Sequence, residues 1–264
     1  MCARLTSRDD IELITDLNFR EALIVNGKVF CREVCLNDLD RFFWFCELKN
    51  EPGNFDVKVL KTLARDTKVV SDPNAFEIGQ DKYSAHLTLR DAGVDVPDFV
   101  MFDYRFPVKM ADVLNEWGKA LLKPRWGGWG KGITLIESPK QLENILGYVQ
   151  SATHRSMEHG FFLERFFPND PNKWASTTFI NGQLTLGYRK VETKFQDLGD
   201  GIKKVQDMQE KGGGVVLADL DPRHIEMAHK AYDAIGLEII GFDMIWTENG
   251  PLIIDENTYP GNYL

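Results

Sequence analysis

Two short segments constrain this chain more than any others. Leu121-Leu122-Lys123-Pro124-Arg125-Trp126-Gly127-Gly128-Trp129-Gly130-Lys131-Gly132 starts as an apolar strand ending on a lysine, then places four glycines within six residues. Ile254-Asp255-Glu256-Asn257-Thr258-Tyr259-Pro260-Gly261 sets a carboxylate and a carboxamide two residues apart, on one face of a strand. A glycine-rich turn exposes backbone N–H groups that can cradle an anion, with the Lys123 ammonium fixed beside it. Clustered hard oxygens are what a magnesium ion takes. Read together, the segments imply a magnesium-nucleotide site.

Composition sets the outer limits. At 264 residues the chain is long enough for a sizeable core and for one to three compact units. A formal charge of -9 argues against a general nucleic-acid binder, which presents a basic face. Lys123, Arg125 and Lys131 leave room for a local basic patch suited to phosphates. No run of about 18 apolar residues occurs, and residues 1–10 lack a signal-peptide core, so a cytoplasmic enzyme with no membrane partner is expected. Cys2, Cys31, Cys35 and Cys46 have no histidine near them in sequence and read as free thiols rather than metal ligands.

Along the chain, residues 1–76 read as a short α/β unit. It holds a hairpin turning at Asn26-Gly27, an aromatic-rich helix over 38–48, a helix over 55–65 and a strand over 68–70. Residues 77–158 form a second block. A helix over 78–92 is stopped by Gly93, and strand 99–102, helix 110–117, strand 120–123, the glycine loop and strand 133–137 follow. Ser138-Pro139 then opens a helix to about residue 152. Residues 159–264 are mostly strands: the apolar run 160–167, a hairpin over 177–189 turning at Asn181-Gly182, and a polar, glycine-rich stretch over 195–214 expected to be a mobile loop. A helix over 222–235 and a last hairpin over 238–257 complete the block.

That last hairpin carries the sharpest chemistry. A connection from Thr247 to Pro251 sets Asp243 opposite Asp255, with Asn257 on the same face. Like charges facing each other across a ladder destabilise it by up to about 1 kcal/mol; a divalent cation between them reverses the sign. The competing reading is a pair of solvated aspartates in slipped register, against which the apolar flanks of both strands argue. The glycine loop taken alone could be only a turn, with Trp126 and Trp129 either shielding it or packing on the block behind. Glu164, inside Phe161-Phe162-Leu163-Glu164-Arg165-Phe166-Phe167, needs a partner if buried. Its strand could line an adenine slot, or form an edge with alternate residues exposed. Arg189 and Lys190 leave a strand end towards the 195–214 stretch, where cations could stabilise a transferring phosphate or simply be solvated.

In this order the residues resemble the ATP-grasp superfamily of carboxylate–amine ligases, most like the ribosomal-protein glutamate ligases, with D-alanine–D-alanine ligase next. The resemblance runs over about residues 77–261, through Gln80-Asp81-Lys82, Ala92-Gly93-Val94-Asp95-Val96-Pro97, Lys123-Pro124 with the glycine loop, the Glu164 strand, Arg189, Gly241-Phe242-Asp243 and Asp255 to Gly261. It implies an α+β fold in which two subdomains clasp ATP, preceded by the short α/β domain. It also implies that Lys82, Lys123, Gly127, Gly128, Gly130 and Gly132 contact phosphates, and that Glu164, Arg165, Phe166, Phe167 and Asp170 hold adenine and ribose. Asp243, Asp255 and Asn257 would bind Mg2+, and Arg189 with Lys123 would steady the acyl-phosphate step. The implied reaction joins a carboxylate, on an amino acid or peptide, to an amine at the expense of ATP; a homo-oligomer is possible. The superfamily has glutamate where this chain has Asp255, and Glu256 could replace it only on a bulged strand. An ATP-binding regulatory or scaffold protein with impaired turnover is the alternative.

Overall fold

Asn-Gly pairs favour two-residue turns in which both central residues have positive φ. Asn26-Gly27 (φ 51° and 81°) and Asn181-Gly182 (φ 48° and 81°) meet that requirement, joining Val25 to Lys28 and Ile180 to Gln183. The computed structural model describes residues 8–48, 53–103, 110–127, 130–152, 160–170, 173–191, 195–197, 203–205 and 214–260. Cys2, Gly128, Trp129 and Gly261 lie outside these residues. The chain divides into two units, Met1–Trp44 with Glu51–Pro73, and Phe45–Asn50 with Asn74–Leu264.

In the first unit β1 (Leu23–Val25), β2 (Lys28–Cys31) and β3 (Val34–Cys35) form an antiparallel sheet, and β4 (Arg41–Phe43) pairs in parallel with β5 (Lys68–Val70). Helix α1 (Phe55–Leu63) is capped by Asn54, which accepts from the N–H groups of Asp56 and Val57, and it buries Val57, Leu60 and Leu63 at the spacing the sequence predicts. The expected helix over 38–48 does not form. Phe42 and Trp44 are buried while Phe43 is exposed, an alternation that only a strand provides. Cys31, Cys35 and Cys46 are free thiols.

From residue 73 the chain forms α2 (Pro73–Gln80) and α3 (Lys82–Asp91) in place of one expected helix. Asp81 separates them: its backbone is extended, and its carboxylate caps α3 by accepting from Tyr83 N–H at 3.1 Å. There follow β6 (Phe99–Asp103), α4 (Met110–Trp117), β7 (Ala120–Lys123), β8 (Thr134–Ile136), α5 (Pro139–Ala152) and β9 (Gly160–Arg165). Next come β10 (Ala175–Ile180), β11 (Gln183–Val191), β12 (Phe195–Asp197), β13 (Lys203–Val205), β14 (Gly214–Leu217), α6 (Pro222–Ile235), β15 (Ile239–Thr247) and β16 (Gly250–Asn257). Part of the stretch expected as a loop is therefore paired strand, β12 on β13 and β13 on β8; the rest of it lies outside the described residues. Among the described residues no helix is long and apolar enough to cross a membrane.

Two antiparallel sheets organise the second unit, one in the order β12-β13-β8-β7-β9-β6 and the other β14-β11-β10-β15-β16. The first draws β9, β12 and β13 from beyond residue 159. Strand alternation gives it two different faces. Ala120, Leu122 and Leu163 pack with Met110 and Leu114 of α4 and Leu142 and Leu146 of α5. Lys123, Phe162 and Glu164 point the other way, towards α3. In the second sheet, Gly241 lies where backbones crowd: a Cβ there would stand 2.7 Å from Thr177 O and 3.2 Å from Pro260 Cβ. Gly241→Ala is therefore expected to cost about 1–3 kcal/mol, read as a lowered thermal midpoint with an unchanged circular dichroism spectrum below it.

Candidate active site

The register of β15 and β16 decides which acids meet. The turn between them is shorter than expected: Thr247 pairs with Gly250, and continuing that register would bring Asp243 to Ile254. A bulge at Ile254 absorbs one residue and restores Asp243 opposite Asp255. Asp255 thus keeps the face it shares with Asp243 and Asn257. Glu256 turns to the opposite face and is buried there, so Asp255 is the residue that meets Asp243. Ser176 donates to Asp243 Oδ1. Asn257 Oδ1 accepts from Tyr259 N–H at 3.1 Å, which fixes the carboxamide at the end of the strand. Two carboxylates and a carboxamide on one face are suitable oxygen donors for a hard divalent cation. Among the described residues, no cluster of three or more His, Cys, Asp or Glu side chains forms a ready-made cage.

Cations surround this face. Lys82, the first residue of α3, is buried, and its Nζ lies 2.5 Å from Asp255 Oδ1 and 3.3 Å from Gly127 O. Burial opposes the charge on Lys82, but Asp255, with Glu256 and Glu164, outweighs it and raises the pKa. Lys123, also buried, donates to Glu164 at 2.8 Å and to the carbonyl of the bulge residue Ile254 at 2.9 Å. One lysine therefore touches the Asp255 side chain, and the other touches the backbone just before it. The glycine loop connects β7 to β8, with Gly130 and Gly132 at φ 67° and 79°. A Cβ on Gly132 would come 2.8 Å from Pro124 Cγ, so the turn depends on glycine there.

Behind the lysines lies a charge network that the sequence analysis did not identify. His86 is fully buried between two carboxylates, with Nε2 3.0 Å from Glu164 Oε2 and Nδ1 3.5 Å from Glu256 Oε1. The second approach is not a hydrogen bond: both Glu256 oxygens and His86 Nδ1 lack hydrogen-bond partners among the described residues. Burial pushes Glu164 up, but Lys123 and His86 together hold it below the usual carboxylate range. Glu256 goes the other way. Burial raises it to about 7 against the pull of His86, and neighbouring Asp255 adds to the rise. The available signal for His86 was its position four residues after Lys82, on the same face of α3.

Three expectations change. Glu164 is 1% exposed and sits in the Lys123–His86 network, not where it could take ribose hydroxyls. The N–H groups of Arg165 and Phe166 already donate to Asp98 O at 2.7 Å and Lys119 O at 3.0 Å, leaving neither to read a base edge. Beyond them, the Arg165 guanidinium lies 5.0 Å from the Phe167 ring centroid, and Asp170 N–H donates to Trp246 O. Arg189 pairs with Ala175, which pairs with Met244. It therefore projects from the face opposite Asp243, beside His224, whose pKa falls through burial first and through Arg189 and Arg223 as well. Successive strand residues alternate sides, and Arg189 is on the wrong one to meet a group held by Asp243.

The Glu256 shift gives a pH signature. A carboxyl with a folded pKa near 7 and an unfolded value near 4.5 binds more protons folded than unfolded across that window. Its contribution to stability is therefore present at low pH and is lost as pH rises through 7. Glu256→Gln mimics the protonated form. Denaturant titrations at pH 5 and pH 8 should show wild type losing up to about 3 kcal/mol relative to the variant; parallel curves would mean that Glu256 is ionised throughout.

No family model matches the chain. Among curated proteins, a probable alpha-L-glutamate ligase of Xanthomonas campestris is 25% identical over 184 residues, covering 69% of this chain and 58% of the relative. A D-alanine–D-alanine ligase of Synechococcus sp. is 27% identical over 200 residues, covering 72% and 58%. The chain thus spans less than two thirds of the length of these relatives. Among solved structures, the D-cycloserine synthetase DcsG superposes with a TM-score of 0.61 at 14% identity, over 87% of this chain and 79% of that one. The ATP-grasp ligase PsnB, complexed with minimal precursor, Mg and ADP, gives 0.55 at 19% identity, over 79% and 60%. The fold is that of the ATP-grasp ligases, and in sequence the chain is similar to the glutamate and D-alanine–D-alanine ligases.

Proposed function

We propose that the protein is an ATP-dependent carboxylate–amine ligase that works through an acyl phosphate. The observation that carries this reading is the bulged pairing of Asp243 with Asp255, flanked by Lys82 and the glycine hairpin, within an ATP-grasp fold. Two acids facing each other across a ladder repel, and Lys82 at 2.5 Å offsets only part of that charge. A magnesium ion bound by Asp243, Asp255 and Asn257 would supply the remaining neutralisation and screen the triphosphate. Similarity to ligases, one of them solved with Mg and ADP, supports the same reading.

The chain's own groups have positioning roles. The hairpin glycines present backbone N–H groups to the phosphates, and Lys82 and Lys123 supply cations from the opposite side. Phosphoryl transfer asks little covalent work of a protein beyond such placement. Phe167 and Asp170, both half-buried, are the residues of the expected nucleoside site that lie beyond the backbone contacts of Arg165 and Phe166. In the reaction the γ-phosphoryl group passes to a carboxylate oxygen, releasing ADP. An amine then attacks the acyl carbon and expels phosphate, leaving an amide. The carboxylate and amine belong to small molecules or peptides, and reliance on ATP favours the cytoplasm.

Purified protein with Mg2+ and ATP, screened across amino acids and amines, should release ADP over many turnovers only when both a carboxylate and an amine are supplied. Asp255→Asn should keep the fold, at a lower thermal midpoint because Lys82 loses its charged partner, and lower that rate by about 100-fold or more, with part of the loss recovered at high Mg2+. Undiminished turnover in the variant would remove Asp255 from the metal site, and nucleotide binding with no turnover under any substrate pair would favour a regulatory protein.

A further inference from the structure

Gln80, Asp81 and Lys82 are consecutive, yet each grips a different part of the site. Gln80 donates from its amide to Thr258 Oγ1, next to Asn257. Lys82 reaches Asp255 and Gly127 O. Asp81 receives Arg125 in a two-pronged grip, with Nε 3.0 Å from both carboxylate oxygens and Nη2 2.6 Å from Oδ2. The backbone adds a fourth tie, Lys82 N–H to Arg125 O at 3.2 Å. The Arg125 guanidinium also covers the Trp126 ring at 4.6 Å. The Asp81 side chain is 9% exposed and that of Arg125 24%, so water screens this pair less than it does a surface pair.

The contacts of Asp81 and Lys82 with Arg125 and Gly127 hold the root of the glycine hairpin. Residues 125–127 are bound to the first turn of α3, the same turn that holds Asp255 through Lys82. A hairpin tied in this way is anchored to α3 from Arg125 to Gly127. We propose that the Asp81–Arg125 pair is a positioning clamp that sets the hairpin's phosphate-facing N–H groups against the Asp243–Asp255 face. Arg125 on this account acts through Asp81 and does not touch the nucleotide. The inference rests on the nucleotide reading above, but the clamp itself can be measured without nucleotide.

The test uses Asp81→Asn, Arg125→Gln, Arg125→Lys and the Asp81→Asn/Arg125→Gln double variant. Asparagine still caps a helix, so Asp81→Asn removes the charged grip and spares α3. Magnesium-ADP affinity by calorimetry should fall about tenfold in either single glutamine or asparagine variant, with the double no worse than either. Arg125→Lys should recover part of the loss, because a single ammonium replaces a two-pronged fork. Without nucleotide, amide exchange over 125–127 should speed up in the variants while α4 and α5 exchange as in wild type. Loss confined to Arg125 variants, with Asp81→Asn binding normally, would make Arg125 a direct phosphate ligand and overturn the clamp. Unchanged affinity in all variants with only a lower thermal midpoint would reduce the pair to a structural role. No magnesium-ADP binding by wild type, with exchange over 125–127 still faster in the variants, would refute the nucleotide reading and leave the clamp standing.

Discussion

A single extra residue in β16 organises the site. The turn at Glu248-Asn249 is two residues long, so the ladder starts in a register that would pair Asp243 with Ile254. Absorbing Ile254 as a bulge moves every later residue by one, and because strand side chains alternate, a shift of one exchanges the faces. Asp255 therefore arrives opposite Asp243, Glu256 is turned into the interior, and the Ile254 carbonyl accepts from Lys123. Without the bulge, Glu256 and not Asp255 would share the face of Asp243.

Turning Glu256 inwards has an energetic consequence. A carboxyl with no hydrogen-bond partner among the described residues is costly when ionised, and burial raises it until it is protonated at mildly acidic pH. Its neighbours behave differently because they are paired. Glu164 has Lys123 and His86, and it stays ionised despite equal burial. The contrast shows that partners, and not depth, set the charge state here. Breaking the Lys123–Glu164 pair from either end would strand a buried charge, a loss of about 3–5 kcal/mol in comparable cases.

The three-residue junction of α2 and α3 links the two sheets. Its backbone is extended at Asp81 and helical from Lys82, so consecutive side chains leave in different directions and reach β16, the glycine hairpin and the Asp255 carboxylate. A continuous helix through this stretch would point them around one cylinder and lose at least one of those contacts. The break that the sequence analysis missed is the feature that lets one short segment hold both halves of the site.

Much was determined locally. Asn-Gly pairs placed two hairpins because only small or amide side chains tolerate positive φ at both turn positions, and Ser138-Pro139 opened a helix where the missing proline N–H does no harm. The opposition of Asp243 to Asp255 was expected from a connection running from Thr247 to Pro251, but a shorter turn and the bulge at Ile254 are what produce it. Local patterning misassigned residues 38–48, where parallel pairing with Lys68–Val70 overrode the appearance of a helix, and it merged two helices across Asp81. What tertiary structure alone decided was which face each charged group occupies and which partner meets it. Arg189 lies on the far side of its sheet, Glu164 belongs to a buried network, and His86 joins two carboxylates from strands more than seventy residues apart in sequence. Such pairings depend on distance in space and on burial, and neither is written in the order of the residues.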